Sequence, residues 1–190
     1  MAALALTGLD IFPWRMEFAE ELQRLDIHHT HTLEACEKKF GRDYIRDLVN
    51  RYRPTERGRP LALVRPFRRH VPVNDILERN AEPCLELDST SHFHIDLYGN
   101  YLPGLCSGLS IHIDDLGKPV SSGKYPFLSA LYARGIQGLY HRAVQTCAFQ
   151  ARPEGYISKC DLCFHIRKYL VTEQFVSSPD FQPAGYYTFS

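Results

Sequence analysis

The stretch Ser91-His-Phe-His-Ile-Asp-Leu-Tyr-Gly-Asn-Tyr-Leu-Pro-Gly-Leu-Cys106, read with Ser158-Lys-Cys-Asp-Leu-Cys163, decides how this chain is organised. His92, His94, Asp96 and Tyr98 alternate with Phe93, Ile95 and Leu97, the two-residue period of a strand with one apolar face. Gly99-Asn100 is a turn dipeptide, because glycine takes positive φ without steric cost and asparagine tolerates it. Pro103-Gly104 bends the return segment, and glycines flanking Cys106 let backbone approach whatever the sulfur holds. The Cys160-x-x-Cys163 pair follows about fifty residues later. With Cys84, these positions describe four thiolates suited to a metal centre, either zinc or iron–sulfur.

Upstream of the hairpin the pattern is mostly helical. Apolar spacing predicts helices over Met16–Leu25, from Thr30 or Thr32 to Phe40, and over Arg42–Tyr52, the last with Tyr44, Leu48 and Val49 inward. Asn74 starts a short helix to Arg79, while Leu61–Val64 and Cys84–Leu87 read as short strands. Downstream, Leu109–Asp114 restores strict alternation, with Leu109, Ile111 and Ile113 on one face. Residues 115–125 form a Gly-, Pro- and Ser-rich loop. Helices follow at Phe127–Ala133 and Ile136–Phe149, separated by Gly135, and a last one runs from a Ser158 cap to about Thr172. The segment after Ser177 has little pattern and reads as peripheral. The fold class expected is α+β, with a helical N-terminal layer followed by a hairpin and helices. The expected divisions are 1–79, 80–175 and a tail at 176–190.

In the last helix Ser158 precedes Asp161 by three, a capping-box variant that sets Cys160 and Cys163 on one face of the first turns. The positive helix end there favours thiolate, the form that binds metal. Arg167, one turn beyond Cys163, either points back toward an anionic cluster or, as is commoner for an arginine on a helix surface, is simply solvated. Cys36 and Cys147 read as buried thiols rather than ligands. His92, His94 and Asp96 share a strand face, and His112 and Asp114 lie on the next strand. That set is either a hard-metal site of the kind that activates water or, as preferred here, a polar outer face. Seven arginines between Arg51 and Arg69 (Arg51, Arg53, Arg57, Arg59, Arg65, Arg68, Arg69) read as a solvated connector rather than an anion site.

The chain has 190 residues, a formal net charge of zero and 44% hydrophobic residues, which gives one domain's worth of core and no global pull toward nucleic acid. No apolar run reaches membrane-spanning length. Residues 2–9 are too short and lack the basic flank of a signal peptide, so a cytoplasmic, thiol-reducing setting is expected.

These residues resemble a family. Cys84, fourteen residues to Gly99, then Cys106 and the later Cys160-x-x-Cys163 are similar to the auxiliary-cluster region of radical S-adenosylmethionine proteins, the SPASM and shorter twitch extensions. The resemblance covers roughly residues 80–172; more weakly, the helices before Tyr52 and Gly58-Arg59 resemble the end of that family's partial barrel. It implies a twitch-like domain with one 4Fe–4S cluster on Cys84, Cys106, Cys160 and Cys163. Such a cluster would support substrate binding or electron transfer toward a peptide or small molecule, beside a radical S-adenosylmethionine catalytic partner. Six residues separate Gly99 from Cys106 where the family usually has four. The Cys-x-x-x-Cys-x-x-Cys motif for the S-adenosylmethionine-cleaving cluster is absent, which implies a truncated or separately encoded C-terminal half without radical chemistry of its own. The competing reading from the same four sulfurs is a zinc-stabilised structural or interaction domain. Neither reading calls for nucleic acid or membrane.

Overall fold

A computed structural model describes residues 23–24, 37–38, 40–54, 56–58, 60–89 and 94–188. The chain divides into two compact units, 1–53 and 54–190. In the first, helix α1 (Tyr44–Tyr52) buries Ile45 and Val49, one turn apart, while Tyr44 and Leu48 are only half-buried. It stops where Arg53 turns left-handed (φ 43°) and its N–H returns to the Val49 carbonyl, just before Pro54. Most of the two helices expected earlier, and Cys36, lie outside the described residues.

The second unit is mixed and helix-rich, with a small antiparallel sheet. Its main elements are α2 (Leu61–Val64), α3 (Val73–Arg79), β1 (Asn100–Tyr101), β2 (Ile111–His112), α4 (Pro126–Cys147) and α5 (Lys159–Thr172). The core lies between α4 and α5. Leu128, Leu131 and Leu139 from one, and Leu162, Ile166 and Leu170 from the other, are almost wholly buried. The two halves of α4 are the two helices expected from sequence, and the break is at Arg134 and Gly135 (φ 54°, ψ −144°). That conformation suits glycine alone, and a Cβ there would strike the Glu82 carbonyl oxygen. The break therefore lets the strand of chain leading to Cys84 lie against the helix, where the Cys84 amide bonds the Leu131 carbonyl at 3.2 Å.

Both short strands expected in this region form helical turns. Leu61–Val64 is α2, entered through Pro60, and Leu61 and Val64 are buried. A run of four apolar residues carries no period that separates a strand from a buried turn. Cys84 itself is extended, but Leu85–Asp88 closes a 3-10 turn that buries Leu87 and leaves Leu85 72% exposed.

A hairpin forms here, but its turn falls earlier than expected: residues 96–99 make it, and Asn100 already belongs to β1. Of the expected strand only Ile95 bridges, to Tyr101, among the described residues, while β1 pairs with β2 through Asn100–His112 and Tyr101–Ile111. Asp96 organises its turn by accepting from the Tyr98 amide, the Asn100 amide and the Asn100 side chain, all at 2.8–2.9 Å. The alternation expected through Ile113 ends early. Leu109 and Ile111 are buried, but Ile113 enters a 3-10 turn at Ile113–Asp115 and is 45% exposed.

The tail is not peripheral. Phe181 and Tyr187 belong to the core, and the buried Asp180 accepts from the Leu128 amide at 2.7 Å. Tyr125, the residue before α4, gives no side-chain cap, so a residue 52 positions away in sequence satisfies that helix start.

Candidate functional site

Three separate backbone locks deliver cysteines to one cavity. The first is the α4 break, which seats Cys84. The second is Gly104 (φ 57°), where a Cβ would run into the Glu86 carbonyl and the Leu87 Cα, so the loop before Cys106 crosses the loop after Cys84 at closest packing. The third is the start of α5. Ser158 Oγ accepts from the Asp161 amide at 3.2 Å, as the capping-box variant predicts, while Asp161 Oδ2 accepts from the Ile157 amide at 3.1 Å, one residue before the cap rather than the cap's own amide. Asp161 is fully buried and its Oδ1 also takes two bonds from Arg65, at 2.8 and 2.6 Å, with Arg152 at 3.4 Å.

Cys84, Cys106, Cys160 and Cys163 all line one cavity of about 360 Å³, and all four are free and half-buried. Cys147, at the end of α4, does not line it; its sulfur lies 3.5 Å from Thr146 Oγ1. The charged groups that also line it are Arg57, Arg79, Lys159, Arg167, Glu82 and Glu86. Cys84 Sγ donates to Glu86 Oε2 at 3.2 Å, and Lys159 Nζ holds the same oxygen at 2.9 Å.

Burial pushes these thiols up. Cys84 reaches about 12, with its bond to Glu86 and the nearby Cys163 adding to burial. Cys160 also reaches about 12, through burial and then Cys163, with Arg57 opposing. Cys106 is raised for the same first reason. The positive end of α5, expected to favour thiolate, is outweighed by desolvation at Cys160. A metal bound here would have to displace protons.

The remaining polar groups named from sequence do other work. Asp96 is used by the hairpin turn, and His94 is exposed. His112 and Asp114 form an exposed pair at 3.3 Å, and His92 lies outside the described residues. Three arginines of the connector are internal ties, while Arg51, Arg53 and Arg69 are exposed as the solvated reading expects. Arg65 holds Asp161, Arg68 bonds Glu56 at 2.8 Å, and Arg57 donates to the Gly104 carbonyl at 3.3 Å. Periodicity could not reveal those partners, which lie up to 96 residues away.

The donor set matches the chemistry of an iron–sulfur cluster, which takes four cysteine thiolates. The same four sulfurs are equally a zinc donor set. Among the described residues no group of three or more His, Cys, Asp or Glu side chains that could hold a metal ion is found. A second fit comes from Arg167, which is 4% exposed, lines the cavity, and has a buried Nε with no hydrogen-bond partner. Among the described residues, no helix is long and apolar enough to cross a membrane. No family model matches the chain, and neither curated proteins nor solved structures give a match.

Proposed function

We propose that residues 54–190 form a 4Fe–4S cluster-binding module of the kind that accompanies radical S-adenosylmethionine chemistry, with Cys84, Cys106, Cys160 and Cys163 as its ligands. The observation that carries this reading is the convergence of four cysteines, separated by up to 79 positions, on one cavity. When bound, such a cluster supplies one-electron transfer. The chain's own residues supply the rest. The α5 start fixes two sulfurs on one helical face, the Gly104 crossing fixes the third against the fourth, and the apolar walls of Leu87, Leu109 and Leu131 exclude water. The module's proposed role is to support substrate binding or electron transfer beside radical S-adenosylmethionine chemistry, for which these residues carry no Cys-x-x-x-Cys-x-x-Cys motif of their own. A cytoplasmic setting goes with this reading.

Purification or reconstitution without oxygen tests it. About four irons and four sulfides per chain with brown colour are expected, by the chemistry of a four-thiolate cluster. Cys106→Ser and Cys160→Ser should each lose most of that iron, and Cys147→Ser should keep it. A colourless protein holding one zinc on the same four cysteines would replace this reading with a zinc-stabilised domain. Iron retained equally in all the variants would overturn the ligand assignment.

A further inference from the structure

Arg167 is the one buried cation in this cavity wall that no carboxylate explains. Its Nη1 donates to the Ser107 carbonyl at 3.0 Å and to the Tyr187 hydroxyl at 2.8 Å, and its guanidinium carbon lies 5.7 Å from the centroids of the Phe164 and Tyr187 rings. Both polar partners are neutral. No ion pair joins Arg167 to an acidic residue among those described, and Nε is buried without a partner. By contrast the nearby Arg65 and Arg152 share Asp161, and Lys159 has Glu86. Arginine stays protonated in proteins, so the fold carries a dry positive charge. A lone buried charge is among the most costly features a fold can hold, unless an anion arrives to meet it.

Resting on the cluster reading above, we infer that Arg167 is the fixed counter-charge of the bound centre, a positioning residue that holds the anionic cluster in the cavity and raises its reduction potential. Four thiolates around an iron–sulfur core carry net negative charge, and reduction adds one more. A guanidinium already in place one helical turn from Cys163 favours both binding and the added electron. The same residue is a liability when the cavity holds thiols alone. The inference therefore predicts opposite signs for the two forms of the protein, which a packing role would not.

The test is Arg167→Met and Arg167→Lys in the full chain, each measured with and without reconstituted iron and sulfide. Methionine matches much of the volume and removes the charge. Tyr187 still has the Gly108 carbonyl as acceptor, and the Ser107 carbonyl is on an exposed residue that water can satisfy. Without iron, Arg167→Met should unfold at the same or a higher urea concentration than wild type. With iron, its cluster should leave to a chelator at least tenfold faster. Its reduction equilibrium should shift at least tenfold toward the oxidised form, about 59 mV more negative for a one-electron couple. Arg167→Lys should recover part of the potential. An iron-loaded Arg167→Met with wild-type potential and chelator rate would overturn the inference and leave the cluster reading standing. A loss of stability in the iron-free form equal to that in the loaded form would overturn it too. Failure of wild type to load iron and sulfide would overturn both.

Discussion

Replacing Asp161 with alanine removes the carboxylate on which the start of α5, and with it two of the four cysteines, depends. The side chain is 0% exposed and receives Arg65 at 2.8 and 2.6 Å, Arg152 at 3.4 Å and the Ile157 amide at 3.1 Å. Breaking a buried pair from one side typically costs about 3–5 kcal/mol, because the partner charge is left without compensation. Arg65 and Arg152 keep 26% and 24% of their side-chain surface in water, so both guanidiniums recover part of their hydration. The orphaned Ile157 amide adds about 1–2 kcal/mol. The net expectation is a loss of ~2–4 kcal/mol for Asp161→Ala, and less for Asp161→Asn, which keeps an acceptor for Ile157. Urea denaturation followed by far-ultraviolet circular dichroism measures it. An Arg65→Met, Asp161→Ala double-mutant cycle isolates the pair and should give a coupling above about 1 kcal/mol. Metal retention should fall in parallel, since Cys160 and Cys163 ride on the same turns. A loss under about 1 kcal/mol with no coupling would refute the claim that this carboxylate anchors the helix.

Three further perturbations probe the α4 break, the α5 cap and the hairpin turn. Gly135→Ala places a Cβ in a glycine-only conformation against the Glu82 carbonyl, and should cost ~2–4 kcal/mol and reduce iron loading through Cys84. Thermal melts with iron assays on the same samples check it. Ser158→Ala removes the cap acceptor for the Asp161 amide and should cost about 1 kcal/mol in urea titrations, leaving the Asp161–Arg65 pair in place. Burial acts upward on the Asp96 carboxyl, but bonds from Asn100 and Tyr98 outweigh it and hold the group below its ordinary range. A carboxyl lowered on folding contributes stability that is present above its unfolded pKa and lost as pH falls through the folded value. Wild type should therefore lose more stability than Asp96→Asn between pH 6 and pH 3, and equal slopes in that window would contradict the turn assignment.

Local chemistry in the sequence was enough to place several elements. Gly99-Asn100 located a hairpin in the right stretch, although the turn falls on 96–99 and Asn100 sits in β1. Ser158 and Asp161 named the start of α5, and Gly135 named the break in α4, because each signal acts within a few residues. Leu61–Val64 and Cys84–Leu87 read as strands but form helical turns, apart from Cys84 itself, because so short an apolar run has no period to distinguish the two forms. The role of the tail was illegible for a different reason. Asp180 caps α4 across 52 positions, and Phe181 and Tyr187 complete a core whose other members lie far upstream. The four cysteines that line the cavity were picked out by their spacing, whereas Arg57 and the arginine tie to Asp161 were hidden in a run that looked solvated. The sequence left Arg167 between facing the cysteines and standing solvated on the helix surface. One helical turn fixes its side, and only the packing of Phe164 and Tyr187 fixes its depth.

The arrangement makes most sense as a site prepared before its occupant arrives. Each lock costs conformational freedom or strain. Gly104 and Gly135 take positive φ, and Asp161 draws two arginines and an amide out of water. What those locks position is itself unfavourable when left as it is: half-buried thiols raised by desolvation beside a guanidinium without an anion. A fold selected for stability alone would fill such a cavity with apolar side chains, which is often neutral or favourable relative to buried charge. The unfavourable groups are complementary to one another only through a third party that takes up thiolate, fills the space and is negative overall. The raised thiols and the unpaired arginine are then the same feature seen from two sides. A ligand that deprotonates the first supplies the charge the second lacks, so the binding free energy includes relief of both.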